Sequence, residues 1–499
     1  MSLSSLAVAA LLPGAVRADL PTVAGNFSIA QKFLHGDAHV VVLGDSEQNG
    51  LLGLYPSTWQ IDKWSGIVAG ENLGATFNGD TGAYTFGFNQ PFIASQSGEL
   101  ADSTNPIVAG QTPDTTRVIK FTSQPASVGG NLLANRVFEV NLEPNQQNIY
   151  HGGSWDDLST GTLHADAIIE ANPSGISSGL QYLIRAASPD TPIASTTVNA
   201  HASSSGLVQI PLSFQSQSGF RSSGISASFR MSDGATPADG SNLVLAGVHF
   251  YNGQPGFQMA NIAWGGKDID YFIRAADQHT DQFFRMTDTN LAYIWIGQNN
   301  PAGYDGPQFK ARMQLLISKY KAIRPDMQFV LVSTYDTGGP KLADFAQAEY
   351  EISQSDPSVL FLNLYKAAGS FSFLDSNYLS DHTHPNLSGD TYFANLTQSL
   401  LASADAQAPK LPGDANLDGI VDSKDFVALA SHFGQNNSYL AAGDFNGDRV
   451  TNALDFNVLA SHYGQTLSPA SAIAPEPGST IIPIISLLVL RRRRIFRML

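Results

Sequence analysis

The feature that most constrains the fold is a regular alternation of helices and apolar strands between residues 268 and 401. The predicted elements are helix 269–286, strand 291–296, helix 308–323, strand 327–333, helix 341–353, strand 359–364 and helix 388–401. Strands that are joined through helices make right-handed crossovers and build a parallel sheet covered by helices on both faces. Residues 39–43 form one more apolar run of this kind, before Gly44. The sequence therefore predicts an α/β fold whose sheet contains both regions.

A long segment separates these two parts of the predicted sheet. Residues 72–245 are rich in Gly, Ser, Thr, Asn and Pro and contain short runs such as 207–214 and 243–251, whereas a helix is expected over 57–69. Short runs separated by turn residues are typical of a β-sandwich. We therefore predict an inserted β-sandwich over 72–245, which interrupts a discontinuous α/β domain made of residues 19–71 and 246–402.

Two short motifs lie where this fold would place an active site. Gly44-Asp45-Ser46 follows the first strand, and Asp381-His382-Thr383-His384-Pro385 precedes the last helix. A serine hydroxyl needs a base to become a nucleophile, and an Asp three residues before a His can orient the imidazole. We predict Ser46 as nucleophile, His384 as base and Asp381 as its partner. The alternatives are ordinary turn residues or, with less support, a zinc site made by Asp381, His382 and His384.

Both motifs resemble the first and last blocks of the SGNH (GDSL-like) hydrolase family. The resemblance implies an SGNH-type esterase with a Ser-His-Asp triad, an acyl-enzyme and no catalytic cofactor. It also implies three oxyanion donors: the Ser46 amide, the Gly266 amide, with Gly265 as a near competitor, and the Asn299 side chain. Asn300 stands where the family block has Asp, which is a departure from the pattern.

The substrate is indicated more weakly than the reaction. The pattern 247–256, Gly-Val-His-Phe-Tyr-Asn-Gly-Gln-Pro-Gly, resembles esterases that carry a carbohydrate-binding-like β-sandwich at this position, including peptidoglycan O-acetylesterases. It implies an O-acetylated glycan as substrate. Two alternatives stay open: an SGNH O-acyltransferase with the same triad, and a non-catalytic surface protein that binds carbohydrate or assists assembly.

A duplicated acidic motif follows the α/β region, and Leu429-Ala-Ser-His-Phe-Gly-Gln recurs as Leu459-Ala-Ser-His-Tyr-Gly-Gln. Oxygen ligands at loop positions 1, 3, 5, 7, 9 and 12 are the pattern of a calcium loop. In the first loop they are Asp414, Asn416, Asp418, the Ile420 carbonyl, Asp422 and Asp425. In the second they are Asp444, Asn446, Asp448, the Val450 carbonyl, Asn452 and Asp455.

The pair of loops, over residues 411–466, resembles a type I dockerin domain. The resemblance implies a small all-α domain that holds structural Ca²⁺ and docks to a cohesin-like partner. A purely structural calcium spacer is the alternative. Arg449 replaces the Gly expected at position six of the second loop.

The two ends of the chain indicate export. Residues 1–18 have the apolar run and small residues of a signal peptide, although a basic start is missing. Residues 475–496 contain Pro-Glu-Pro-Gly, an apolar run and four arginines, which resemble a PEP-CTERM sorting tag. That tag implies transient inner-membrane association, a sorting protease as partner and a final location at the cell surface or outside the cell.

Composition excludes several other functions. The net charge is -16 with 27 Lys and Arg residues, so a nucleic-acid partner is not expected. The chain contains no cysteine, which rules out disulfides, thiolate metal sites and a cysteine nucleophile.

Overall fold

The structure is a computed structural model of the chain. It describes residues 20–45, 85–86, 119–122, 138–141, 162–173, 175, 177, 179–186, 191–204, 206–215, 225–231, 242–251, 258–261, 268–275, 278–300, 303–436, 438 and 440–467. Several sequence predictions lie outside these residues: the signal peptide, Ser46, the helix 57–69, Gly265, Gly266 and the C-terminal tag.

Within the described ranges, the strands fall into three sheets. In chain order they are β1 (Val23–Gly25), β2 (His39–Gly44), β3 (Thr85–Phe86), β4 (Ile119–Thr122), β5 (Phe138–Asn141), β6 (Thr162–Ala171), β7 (Leu180–Ala186), β8 (Thr191–Val198), β9 (Gly206–Ile210), β10 (Ser213–Gln215), β11 (Ile225–Met231), β12 (Asn242–Tyr251), β13 (Gln258–Asn261), β14 (Leu291–Trp295), β15 (Gln328–Val332) and β16 (Val359–Leu362).

One helix precedes β2, and the other helices lie after β13 in the chain. They are α1 (Ser28–His35), α2 (Ile269–Ala275), α3 (Gln278–Met286), α4 (Gly306–Ile323), α5 (Leu342–Ser355), α6 (Leu364–Ala367), α7 (Phe371–Asn377), α8 (Leu387–Asp405), α9 (Ser423–Ser431) and α10 (Ala453–His462), with a 3₁₀ turn at Leu440–Ala442. No helix in the described part of the chain is long and apolar enough to cross a membrane.

The largest sheet has seven strands in the order β1-β16-β15-β14-β2-β13-β3. Neighbouring strands are parallel except for β1, which runs antiparallel to β16. Without the two edge strands, the order is that of a doubly wound sheet, in which the second strand lies on one side of the first and the later strands on the other. The switch point of this topology lies between β2 and β14. Ligands bind at such a point, beyond the carboxyl ends of the strands.

Both faces of the parallel sheet are buried, as the apolar composition of its strands predicts. Val40 and Val42 of β2 pack into a core on one face with residues of α1 and α8. Val41 and Leu43 pack on the other face with residues of α2 to α5. The mixed α/β fold with a parallel sheet is therefore confirmed.

Several predicted boundaries shift by one to four residues, and two other differences change the elements themselves. The helix predicted over 269–286 is divided into α2 and α3, with residues 276–277 outside the described ranges. The strand predicted over 359–364 ends at Leu362, because Asn363 caps a short helix by accepting a hydrogen bond from the Lys366 amide at 3.0 Å. A polar cap residue ends the strand where apolar composition alone continues it.

Two antiparallel sheets lie between β3 and β13 in the chain. One contains β4, β6, β9, β10 and β12, and the other contains β5, β7, β8 and β11. The Tyr182 hydroxyl on β7 donates to the Ala165 carbonyl on β6 at 2.7 Å, so the two sheets are in contact. The inserted β-sandwich itself stays a prediction. Strand β3 lies within the range assigned to the insertion, yet it pairs with β13 of the parallel sheet.

A buried carboxyl on α5 leads to a stability prediction. Glu349 is 1% exposed, and neither carboxyl oxygen has a hydrogen-bond partner among the described residues. Burial raises its pKa well above the ordinary value of 4.5. The native state therefore keeps a proton that the unfolded chain loses, and this group destabilises the fold increasingly as the pH rises above that value.

Replacement of Glu349 by Met is expected to raise the free energy of unfolding by about 1–3 kcal/mol at neutral pH. The gain is expected to be smaller at pH 4.5 than at pH 8. Denaturant unfolding at the two pH values measures it. Glu351→Met, on the same helix but at an exposed position paired with Lys310, is the control and is expected to give no such gain. A stability gain independent of pH would contradict the assignment to the carboxyl.

Candidate active site

The carboxyl ends of β2 and β14 are neighbours at the switch point. Trp295, the last residue of β14, is in register with Gly44, the last residue of β2. Asp45 follows β2 directly and is 1% exposed. Ser46 comes next in the sequence and lies outside the described residues. The loop after β14 contains Asn299, so this loop and the chain after Gly44 begin at neighbouring strand ends.

Asp45 links these two strand ends. Its carboxylate accepts hydrogen bonds from the backbone amides of Gln298 and Gly297 and from its own amide. Burial raises the pKa of Asp45 to about 7, while these amides and the charge of His384 act in the opposite direction. A buried carboxyl is stabilised as an anion only where such donors surround it. The loop after β14 is therefore held against the end of β2.

Asn299 presents a buried donor without a partner. Its Nδ2 atom is inaccessible to solvent and makes no hydrogen bond to any described residue. Buried donors are nearly always satisfied, so a free one at a strand end needs an explanation. An oxyanion that forms during acyl transfer is one acceptor that such a donor would serve.

The residue after Asn299 anchors the same loop. Asn300, which replaces the Asp of the family pattern, accepts a hydrogen bond from the Ile269 amide at 3.3 Å through its Oδ1 atom. The Thr337 hydroxyl donates to Gln298 Oε1 at 2.9 Å from the other side. The Asn side chain therefore connects this loop to the first turn of α2 in the absence of a carboxylate.

Asp381 and His384 form the pair expected from their spacing. His384 Nδ1 lies 2.8 Å from Asp381 Oδ2 and 3.1 Å from Oδ1, and Asp381 Oδ1 also accepts from the His384 amide at 2.7 Å. An Nδ1 atom that faces a carboxylate carries the proton, which leaves the lone pair of the neutral ring on Nε2. His384 thus has the tautomer required of a general base, and its side chain is 17% exposed.

The loop that carries this pair is tightly fixed. The Ser380 amide donates to the His384 carbonyl at 2.8 Å, and Leu379 and Pro385 form an antiparallel bridge. The buried Tyr335 donates its hydroxyl to the Thr383 carbonyl at 2.7 Å. Because His384 acts electrostatically on Asp45, the loop lies at the same edge of the sheet as the ends of β2 and β14.

The Tyr335 hydroxyl is expected to matter for both stability and turnover. Tyr335→Phe leaves the Thr383 carbonyl without this donor and is expected to lower the free energy of unfolding by about 1 kcal/mol. It is also expected to lower kcat for an ester, because the loop bearing His384 loses a support. Tyr392→Phe is the control, since the Tyr392 hydroxyl donates to the Ala368 carbonyl at 2.9 Å, outside this loop. If both variants change kcat equally, the loop-specific role is wrong.

The sequence interpretation assigned no role to a second Asp–His pair beside the first. His382 Nδ1 lies 2.7 Å from Asp375 Oδ1, and the His382 backbone has a left-handed φ of 69°. Its side chain is 78% exposed, in contrast to His384. The spacing of seven residues, across the end of α7, gave no signal in the sequence.

Asp45 was part of the recognised motif, but its buried contacts could not be predicted without the sheet order.

The acidic residues of the second C-terminal loop converge. Carboxyl oxygens of Asp444, Asp448 and Asp455 all lie within 4.8 Å of one another, which suits a hard divalent cation with oxygen ligands. Arg449 has a left-handed φ of 67°, matching Gly419 of the first loop at 81°. The backbone thus keeps the turn of a calcium loop without the expected Gly.

In the first loop, the carboxylates repel one another. Burial, the neighbouring Asp425 and the neighbouring Asp418 raise the pKa of Asp414 to about 6, against the effect of the Gly419 amide. A bound cation would relieve this repulsion. This repulsion favours a bound cation in the first loop, whose predicted carboxylate ligands are Asp414, Asp418, Asp422 and Asp425.

The residues at loop positions 9 and 12 also form the N-terminal caps of two helices. Asp422 and Asn452 are the N-caps of α9 and α10, and each forms a capping box with Asp425 or Asp455 three residues later. Asp425 and Asp455 are fully buried. The same side chains are thus predicted calcium ligands and caps of the following helices.

Comparison with known proteins gives one family match. Residues 412–462 match the family model of the dockerin type I domain. No curated protein matches the chain.

Three solved structures illustrate the distant likenesses. A peptidoglycan O-acetylesterase is 10% identical, with 76% of this chain and 95% of that chain covered and a TM-score of 0.43. A family two carbohydrate esterase from Clostridium thermocellum, in complex with cellohexaose, is 12% identical, with 49% and 92% covered and a TM-score of 0.25. The salicylyl-acyltransferase SsfX3 from a tetracycline biosynthetic pathway is 12% identical, with 49% and 80% covered and a TM-score of 0.25. At these scores, no activity is transferred from them to this chain.

Proposed function

We propose that this chain is an exported serine esterase of the SGNH type that removes O-acetyl groups from a polysaccharide or another glycan. The observation that carries the proposal is the Asp381–His384 pair, with Nδ1 2.8 Å from the carboxylate, at the sheet edge where Asp45 precedes Ser46. An imidazole whose Nδ1 faces a carboxylate, at the strand end where a serine follows Asp45 in the sequence, is the arrangement that acyl transfer needs.

In the proposed reaction, His384 Nε2 takes the proton of the Ser46 hydroxyl as its oxygen attacks the ester carbonyl carbon. The tetrahedral oxyanion accepts hydrogen bonds from Asn299 Nδ2 and from the amides of Ser46 and Gly266. Its collapse breaks the bond to the sugar oxygen, which receives the proton from His384. Water, activated by the same imidazole, then attacks the acyl-enzyme and releases acetate and free Ser46.

The buried, unpartnered Asn299 Nδ2 supports its assignment as an oxyanion donor. The removal of one such donor typically costs about 10²–10³ in rate. An Asn299→Ala variant that retained wild-type turnover would therefore remove this residue from the mechanism.

The glycan part of the proposal rests on the pattern at 247–256 and on the inserted segment. An O-acyltransferase would use the same triad and differ in excluding water from the acyl-enzyme. Release of free acetate, compared with transfer of acetyl to an added sugar hydroxyl, separates the two.

The test uses the full chain with a chromogenic acetate ester, acetylated xylan and acetylated peptidoglycan. The wild type is expected to release acetate from at least one of them, and Ser46→Ala is expected to abolish that release. Absence of release from all three would favour the surface-binding alternative. Release that persists in Ser46→Ala would disprove the nucleophile.

We also propose that residues 411–466 hold two structural Ca²⁺ ions and dock to a cohesin-like protein, and that the chain ends at the cell surface or outside the cell. The converging carboxylates and the match of residues 412–462 support the calcium part. Calcium would supply charge neutralisation in the loops and takes no part in ester cleavage. The signal peptide, the sorting tag and its protease remain proposals from the sequence.

A further inference from the structure

Asp45 is a buried carboxyl that the proposed reaction does not use. It is 1% exposed and lies between the end of β2 and Ser46. Its oxygens accept from the backbone amides of Gly297 and Gln298, which belong to the loop that carries Asn299. One carboxylate therefore connects the residue before the proposed nucleophile with the two residues before the proposed oxyanion donor.

We propose that Asp45 is a positioning residue, whose carboxylate form ties the nucleophile turn to the Asn299 loop and whose protonation releases that loop. This inference rests on the proposed function. A carboxylate is an acceptor only, so it satisfies the amides that face it. A protonated carboxyl carries a hydrogen on one oxygen, and that hydrogen would point into a group of N–H donors.

The Asn299 loop also has contacts with two other parts of the fold. A Cβ atom on Gly297 would lie 2.8 Å from the Thr334 hydroxyl, so the backbone passes close to the end of β15. Gln298 receives the Thr337 hydroxyl at 2.9 Å, and Asn300 holds the Ile269 amide at 3.3 Å. These contacts fix the loop to β15 and α2, and Asp45 fixes it to β2.

The charges around Asp45 determine how the tether responds to pH. The charge of His384, from the loop before α8, favours the Asp45 anion, and the loop after β14 contributes the Gly297 and Gln298 amides. Burial raises the pKa of Asp45 to about 7, so the anion is present above neutral pH and is lost below it. Loss of the Asp45 anion is therefore expected to lower activity on the acid side.

The requirement for the Asp45 anion has a measurable signature. The acid limb of log(kcat/KM) against pH is expected to be steeper in the wild type than in Asp45→Asn, which has no carboxyl group at this position. Asp45→Asn is also expected to lower kcat by about 10²-fold with little change in KM, because a small misplacement of a catalytic group costs about that much.

Asp166→Asn is the matched control. Asp166 is also a buried carboxylate, and it accepts from the Leu212 amide at 3.1 Å, but in the insertion. This variant is expected to keep the wild-type slope. A wild-type slope and kcat in Asp45→Asn would overturn the inference, as would a change of slope in both variants.

Hydrogen exchange of the wild type tests the tether without any substrate and without a variant. Protection factors of the Gly297 and Gln298 amides are expected to fall as the pH drops below 7. The Ser333 amide, which donates to the Leu362 carbonyl at 3.1 Å, is the internal control and is expected to keep its protection. Constant protection at 297 and 298 would overturn the inference. A wild type without ester hydrolysis would refute the proposed function, while this exchange result would still decide whether the tether exists.

Discussion

Asp381→Asn is expected to lower kcat/KM for ester hydrolysis by about 10⁴-fold without unfolding the protein. The carboxylate holds the proton of His384 on Nδ1 across 2.8 Å. An amide that turns its NH₂ group toward Nδ1 favours the opposite tautomer and places the proton on Nε2, where the base must be free. The amide oxygen can still accept from the His384 backbone N–H, so the loop is expected to keep its shape.

The neighbouring pair supplies the control for this prediction. Asp375→Asn removes the carboxylate 2.7 Å from His382, on the same loop but outside the proposed triad. It is expected to change kcat/KM by less than about tenfold, since no proton on His384 depends on it. Steady-state kinetics of both variants, with circular dichroism to verify folding, measure the difference. Equal losses in the two variants would mean that the loop, rather than the Asp381 charge, sets the rate.

Calcium removal is expected to unfold residues 412–467 while ester hydrolysis continues. The main apolar cluster of this part contains Val421, Leu429 and Leu459, with Leu411 and Phe445 packed against them. Apart from this cluster, the buried apolar residues of this part are the small Ala415, Ala441 and Ala442. A core of that size stabilises a fold poorly, and structural metals usually replace it in small domains. Without a cation, the buried Asp414 and Asp425 also repel each other.

Hydrogen exchange of α9 and α10 with calcium and with a chelator measures this effect. Protection is expected to be lost with the chelator and regained when calcium is added back. By titration calorimetry, Asp444→Asn is expected to bind one calcium ion fewer than the wild type. Asp356→Asn, a carboxylate paired with Lys321 outside the loops, is the control and is expected to bind as many as the wild type. Unchanged protection in the chelator would show that the loops do not depend on calcium.

Four parallel strands, β2, β14, β15 and β16, could be predicted because each is a short apolar run with polar or turn residues at its ends. Strands β3 and β13 were not predicted, because Thr85–Phe86 and Gln258–Asn261 are not such runs. The sheet order could not be predicted, because apolar composition does not identify a strand's neighbours. The His39 amide, for example, donates to the Asn290 side chain across 251 residues of chain. The division into α2 and α3 was also invisible, since one helical pattern spans both.

The candidate site shows the same contrast. The Asp381–His384 pair could be predicted because one loop determines its geometry, and local spacing carries that information. The contacts of Asp45 depend on amides that follow another strand, so they could not be predicted from the sequence. The exposed His382 pair also depends on where α7 ends. Side chains that act across elements become interpretable only when the elements have been placed.

The position of β2 in the sheet has a consequence for biosynthesis. Its partners β13 and β14 follow it at a long distance in the chain, at Gln258–Asn261 and Leu291–Trp295. During translation, β2 would therefore leave the ribosome with both edges unpaired until these residues have been made. Such distant pairing folds slowly and leaves apolar edges open to aggregation. We expect the nascent α/β core to need chaperone protection, and the two antiparallel sheets between β3 and β13 to form before β2 finds its partners.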